Sequence, residues 1–194
     1  MNRLSFFAIP ALILLSACQG KMAETPPLAG AKMGGPFTLT SETGKLFDEK
    51  ALAGQYRLVY FGYTFCPDVC PVDVARLMKG FALLEKRDPA LAAKIQPVFV
   101  TIDPARDTSE ALVQFTDAFH PRLIGLTGTP AQIADVAKRY GVYYEIDGTA
   151  SGPDYKVNHS RTATLYGKSG EPLAIIANDG TPEAIADEIE RWAQ

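Results

Sequence analysis

The chain has 194 residues, of which 47% are hydrophobic, 10% aromatic and 21% charged; this suits one globular domain with a short appendage and excludes a disordered or low-complexity chain. The formal net charge of −3 carries no basic surplus, so no nucleic-acid partner is expected. Three cysteines are too few, and odd in number, for a closed disulfide scaffold, so one of them must differ in role from the other two.

Residues 1–17 read as a signal peptide. Arg3 is its only charge, and the run from Leu4 to Leu15 is apolar except for Ser5. The run is short for a bilayer-spanning helix and fits a signal core. It ends in Leu15-Ser16-Ala17-Cys18, which resembles the bacterial lipobox, where the cysteine is lipidated and becomes the first mature residue. This predicts a lipid anchor at Cys18 that holds the domain at a membrane, facing the periplasm, without spanning it. The alternative is an uncleaved anchor with an incidental cysteine. Gln19 leaves inner versus outer membrane open. Removing Arg3 takes the formal charge from −3 to −4. Residues 18–36 contain Pro26, Pro27, four glycines and no apolar period, and read as a flexible tether.

From residue 37 the pattern is regular. Phe37–Thr40 and Lys45–Phe47 flank Gly44 as a small hairpin. Tyr56–Phe61 is an apolar run of buried-strand type. Val74, Leu77, Met78, Phe81 and Leu84 follow helical spacing to about Arg87. Ile95–Ile102 is a second buried strand. Asp107 with Glu110 is read as an acidic capping box opening a helix to Phe119, and Leu123–Leu126 as a short strand. Thr129-Pro130 opens a helix that Gly141 stops; Val142–Ile146 is extended. Thr162–Tyr166 and Pro172–Ala177 form a second hairpin, and Thr181-Pro182 starts a last helix to Trp192. Strands alternating with helices predict a mixed central sheet flanked by helices, with an N-terminal hairpin. A closing hairpin and helix are the arrangement of the thioredoxin fold, so 37–194 is taken as one α/β domain.

The chemistry concentrates in Phe61-Gly62-Tyr63-Thr64-Phe65-Cys66-Pro67-Asp68-Val69-Cys70-Pro71, between a buried strand and a helix start, where α/β sheets collect their sites. On a helical turn, Cys66 and Cys70 would have Cα atoms about 6 Å apart with both sulfurs on one face. That spacing serves a metal or a redox-active disulfide; a stapling disulfide would gain little from so short a loop. A third ligand would separate metal from redox use. Of the two histidines, His120 reads as a packing or surface residue. His159 precedes the Thr162–Tyr166 strand, in a loop that a thioredoxin fold packs beside the cysteine loop, and is the better third ligand. Two sulfurs and an imidazole suit Cu(I), Cu(II) or Zn(II), soft sulfur favours Cu(I), and no fourth ligand closes a structural zinc site.

The string Tyr60–Pro71 resembles the signature of the Sco/SenC family of copper-binding proteins. So do Val100–Thr108, Phe119–Gly128 and Asn158-His159-Ser160. The resemblance implies a thioredoxin-like fold that binds one copper through Cys66, Cys70 and His159. It also implies a role in assembling the binuclear copper centre of cytochrome c oxidase, with the copper-bearing oxidase subunit and a copper donor protein as partners. Asp103 matches an acidic position close to the family's metal site. Asn158 stands where the family often has Asp, and Gly167-Lys168-Ser169-Gly170 replaces its usual Asp-Pro turn.

Three functions fit these features. A copper chaperone is a binding protein rather than an enzyme. A thiol–disulfide reductase would keep the oxidase cysteines reduced. A redox or copper sensor would signal through a partner. The Cys-x-x-x-Cys spacing, and Ser160-Arg161-Thr162 where thioredoxins place a cis proline, favour the chaperone. Bound Cu(I) on two thiolates leaves an anionic site, to which Asp68 and Asp103 would add unless they only cap or hydrogen-bond the loop; a partner with a basic rim is then favoured.

Overall fold

The computed structural model describes residues 24–147 and 155–194. The expected signal peptide at 1–17 and the lipid anchor expected at Cys18 lie outside the described residues. In chain order the elements are β1 (Thr38–Ser41), β2 (Leu46–Asp48), a 3-10 turn at Glu49–Leu52, β3 (Tyr56–Gly62), α1 (Val69–Arg87), α2 (Pro89–Ala92), β4 (Ile95–Thr101), α3 (Ser109–Asp117), β5 (Ile124–Thr127), α4 (Pro130–Arg139), β6 (Tyr144–Ile146), β7 (Val157–His159), β8 (Ala163–Tyr166), β9 (Pro172–Ile176) and α5 (Pro182–Trp192).

Seven strands form one mixed sheet in the order β2-β1-β5-β4-β3-β8-β9. β3, β4 and β5 run parallel, which requires the crossovers that α1 and α3 supply. β8 returns antiparallel to β3 and β9 to β8, while the β1–β2 hairpin closes on β5. This is the expected mixed sheet flanked by helices, with its N-terminal hairpin. β3 is buried at all seven positions. Arg57 is tolerated there because it pairs with Glu49 at 2.5 Å and donates to the Gly167 carbonyl at 2.8 Å. The predicted stripe of α1 is buried. Its Gly80 admits α5 to backbone contact, since a Cβ there would meet Ile185 Cγ2 at 2.3 Å.

Three expectations are corrected. Asp107 does not cap α3; Thr108 does, accepting from the Ala111 N–H at 3.2 Å, because Asp107 is buried and turned toward the cysteine loop. His159 is not in a free loop but ends β7, which pairs antiparallel with β6 in a separate two-stranded sheet, Tyr144 opposite His159. The described part of the supposed tether, 24–36, is held on the domain. Leu28 N–H donates to the Leu173 carbonyl at 3.0 Å and Gly34 N–H to the Arg139 carbonyl at 2.9 Å, and Tyr140 Oη donates to the Gly35 carbonyl at 3.0 Å. Gly34 and Gly35 have φ of 93° and 114°, so the glycines that suggested freedom serve a close, left-handed approach instead.

Candidate metal centre

β3 delivers the chain to the carboxyl edge of the sheet, and Gly62 lets it arrive close: a Cβ there would lie 3.2 Å from Cys70 Sγ. Cys66 lies in the loop and Cys70 in the first turn of α1, so the two do not share one helical turn as the spacing suggested. They meet differently. Cys66 Sγ accepts the Cys70 N–H at 3.4 Å, one of the N–H groups that a helix start leaves open. Asp68, the residue flanking α1, makes no side-chain cap hydrogen bond, contrary to the capping role considered for it. Its backbone (φ −139°, ψ −74°) departs from the extended cap conformation, and its side chain stays exposed.

Both cysteines are buried free thiols, and they differ in acidity. Burial raises the Cys66 thiol, but hydrogen bonds from the backbone N–H groups of Cys70 and Asp68 and from the Cys70 and Tyr63 side chains together outweigh it, and the net shift is downward. Burial pushes Cys70 well up, and a Cys66 thiolate beside it acts in the same direction. The helix start thus favours one thiolate, on Cys66, rather than two. Burial, with the neighbouring Cys66 and Cys70 sulfurs acting in the same direction, pushes the Tyr63 hydroxyl up to about 12.

His159 reaches this pair from β7. Its Nε2 lies 3.1 Å from Cys70 Sγ, and its Nδ1 lies 2.8 Å from the Ser160 carbonyl. A carbonyl oxygen only accepts, so Nδ1 carries the proton and the Nε2 lone pair faces sulfur. Burial lowers the His159 pKa, which keeps the ring in this neutral, ligand-competent form. The ring sits edge-on to Tyr60 (6.4 Å, 89°) and Tyr63 (6.0 Å, 81°). Among the described residues, no group of three or more His, Cys, Asp or Glu is already gathered at metal-holding separation. The donors nonetheless fit copper in kind: a ligating histidine commonly commits its other nitrogen to a carbonyl, as His159 does, and two sulfurs complete a soft set.

Three buried carboxylates fix the surroundings. Asp107 accepts from Thr64 N–H (3.0 Å), Thr64 Oγ1 (2.7 Å) and Thr101 Oγ1 (2.6 Å), pinning the cysteine loop to the end of β4; burial raises its pKa. Asp103 accepts from Arg106 Nε and from Tyr155 Oη, both at 2.5 Å. The Arg106 guanidinium lies 3.5 Å from the Tyr155 ring centroid and 5.3 Å from that of Phe65. Asp103 is therefore neutralised by Arg106 rather than adding net charge. Asp73 accepts from Tyr60 Oη at 3.1 Å and from Arg161 Nε and Nη2 at 2.9 and 2.7 Å. Asp73, Arg106 and Arg161 were not singled out from sequence as site groups, and Asp107 only as a helix cap. His120 is a packing residue, as expected. It is buried, edge-on to Phe81 at 5.3 Å and 3.1 Å from Glu85 Oε2. No helix among the described residues is long and apolar enough to cross a membrane.

The SCO1/SenC family matches residues 25–194. The chain belongs to that family. Within it, "Protein SenC" of Rhodobacter capsulatus is 42% identical over 161 residues, covering 83% of this chain and 71% of SenC. Mitochondrial SCO2 of Saccharomyces cerevisiae is 43% identical over 163 residues, and the chain spans about half (53%) of its length. Bradyrhizobium japonicum ScoI, solved with copper bound, superposes with a TM-score of 0.73 at 36% identity, covering 82% of this chain and 99% of ScoI. The sheet order and flanking helices are thus those of the thioredoxin-like SCO1/SenC fold.

Proposed function

We propose that this SCO1/SenC protein binds one copper ion as cargo through Cys66, Cys70 and His159 and passes it to the copper-bearing subunit of cytochrome c oxidase during assembly. The 3.1 Å approach of His159 Nε2 to Cys70 Sγ carries the reading, because it joins two donors 89 residues apart with the imidazole lone pair aimed inward. Copper-bound ScoI supports the choice of metal. Three protein donors leave a position for an acceptor's ligand, which handing over requires. Phe65, exposed by 54%, lies beside Cys66 and with Pro71, Phe115 and Phe119 lines an apolar groove of about 400 Å³, a surface against which an acceptor would pack. A lipid on Cys18 would hold the domain at a periplasmic membrane face beside such a partner. A copper donor protein would load it.

The unequal thiols favour one competing reading. A Cys66 thiolate attacking a partner disulfide would form a mixed disulfide, which Cys70 would then resolve. The partner would be released as a dithiol, with Cys66–Cys70 oxidised by two electrons. Two mixtures decide between them: copper-loaded full-length protein with a pre-reduced, apo oxidase copper-subunit fragment, and metal-free reduced protein with the oxidised fragment. Transfer of metal in the first, with no thiol–disulfide exchange in the second, is expected. Metal retained in the first, with the fragment's disulfide reduced and Cys66–Cys70 oxidised in the second, would establish the reductase.

A further inference from the structure

We propose that Arg161 and Asp73 form a clamp that positions His159 against Cys70 before metal arrives, a role that rests on the copper-site reading above. Asp73 lies three residues after Cys70, one turn along α1, and its side chain is fully buried. Arg161 lies two residues after His159, just before β8. The ion pair therefore bridges the same gap, between the α1 start and the β7–β8 connection, that the Cys70–His159 pair bridges. Two parallel hydrogen bonds, 2.9 and 2.7 Å, join the Arg161 fork to both carboxylate oxygens, so the pair sets orientation as well as distance. Tyr60 Oη fills a third acceptor position on Asp73 at 3.1 Å, and the same Tyr60 ring abuts the His159 ring. On its other side the connection is held by Ser160 N–H to the Tyr143 carbonyl at 2.9 Å and Tyr143 N–H to Ser160 Oγ at 3.1 Å.

A purely stabilising ion pair would need no particular place. This one spends a buried carboxylate beside the sulfur ligand on a half-exposed arginine (49% exposed) beside the imidazole ligand. Losing it leaves His159 free to leave Cys70, and apparent copper affinity falls with the fraction of molecules in the competent arrangement. Arg161 is a positioning residue; it touches neither sulfur nor metal.

The test uses full-length protein, Cu(I) competition against a chromophoric chelator, and Arg161→Gln and Arg161→Lys in native and His159→Ala backgrounds. Arg161→Gln is expected to weaken binding by about 10- to 100-fold in the native background, the range for groups that orient a ligand, and not at all where His159 is already gone. Arg161→Lys, which keeps charge but not the fork, falls between. In the metal-free protein, amide exchange at 157–161 should accelerate in Arg161→Gln while β3 and β4 stay protected. Unchanged affinity, or an equal loss in both backgrounds, overturns the clamp. If His159→Ala itself leaves affinity unchanged, the copper-site reading fails instead, and hydrogen exchange still decides whether Arg161 orders the connection.

Discussion

The two histidine neighbourhoods of this protein hold the same side chain in opposite states. At the α3–β5 connection, the Arg122 N–H donates to His120 Nδ1 at 3.2 Å, so that nitrogen is the acceptor and Nε2–H is left to donate to Glu85 Oε2 at 3.1 Å. Every polar position of His120 is committed to protein. At the β7–β8 connection, Nδ1 holds the proton toward a carbonyl and the Nε2 lone pair is directed at a sulfur. His120 is buried and His159 half-buried; the partners of the two nitrogens separate a packing residue from a candidate ligand. A backbone N–H at Nδ1 makes one, and a backbone C=O makes the other.

The sharpest way to break the comparison is to truncate each ring. His159→Ala is expected to weaken Cu(I) binding by more than about 100-fold, exceeding the range for supporting groups, while urea stability moves little. Undiminished affinity in a chelator competition would remove His159 from the site. His120→Ala should do the reverse. It deletes a ring packed on Phe81, strands the Arg122 N–H and leaves the Glu85 carboxylate with Arg122 alone, costing about 3 kcal/mol in urea unfolding with copper affinity unchanged.

Between these extremes lies Asp107→Ala. It takes the acceptor from two threonine O–H groups and the Thr64 N–H at the base of the cysteine loop, with an expected cost of about 2 kcal/mol. Because Thr64 is two residues from Cys66, faster alkylation of Cys66 in the metal-free variant should accompany the loss. Unchanged alkylation would show that the loop holds its shape without this carboxylate.

Local signals carried most of the fold and the two sulfurs. Buried strands, the α1 stripe and the Thr-Pro helix starts at Thr129 and Thr181 are set by neighbours within a few residues, and they appear where the pattern places them. Cys66 and Cys70 stand out by rarity and spacing. The supporting network did not, because it joins distant positions: Asp73 and Arg161 are 88 residues apart, and neither has a local signature. Asp107 was misread because Asp-x-x-Glu suits a helix start; tertiary demand from Thr64 and Thr101 took the carboxylate and left Thr108 to cap. At 24–36, proline and glycine signalled freedom, but composition cannot tell a loose chain from one whose glycines are needed for close contact. β7 is three residues long, too short for a period-2 pattern to register.

The smallest expected effect sharpens the tautomer argument itself. Glu85→Gln keeps one oxygen and replaces the other by an amide N–H₂. If the oxygen faces His120, the ring keeps its Nε2–H bond, and the amide meets the Arg122 guanidinium donor against donor. Arg122 retains the Ala92 and Ile95 carbonyls at 3.0 and 2.6 Å. The cost is then one partly exposed ionic contact, about 1 kcal/mol. If the amide faced His120 instead, the ring would have to place its proton on Nδ1, against the Arg122 N–H. The backbone therefore selects the first arrangement, and ring ¹⁵N shifts should report Nε2–H for His120 in both proteins. A switch to Nδ1–H in Glu85→Gln would show that the carboxylate, not the Arg122 backbone, sets the state of this histidine.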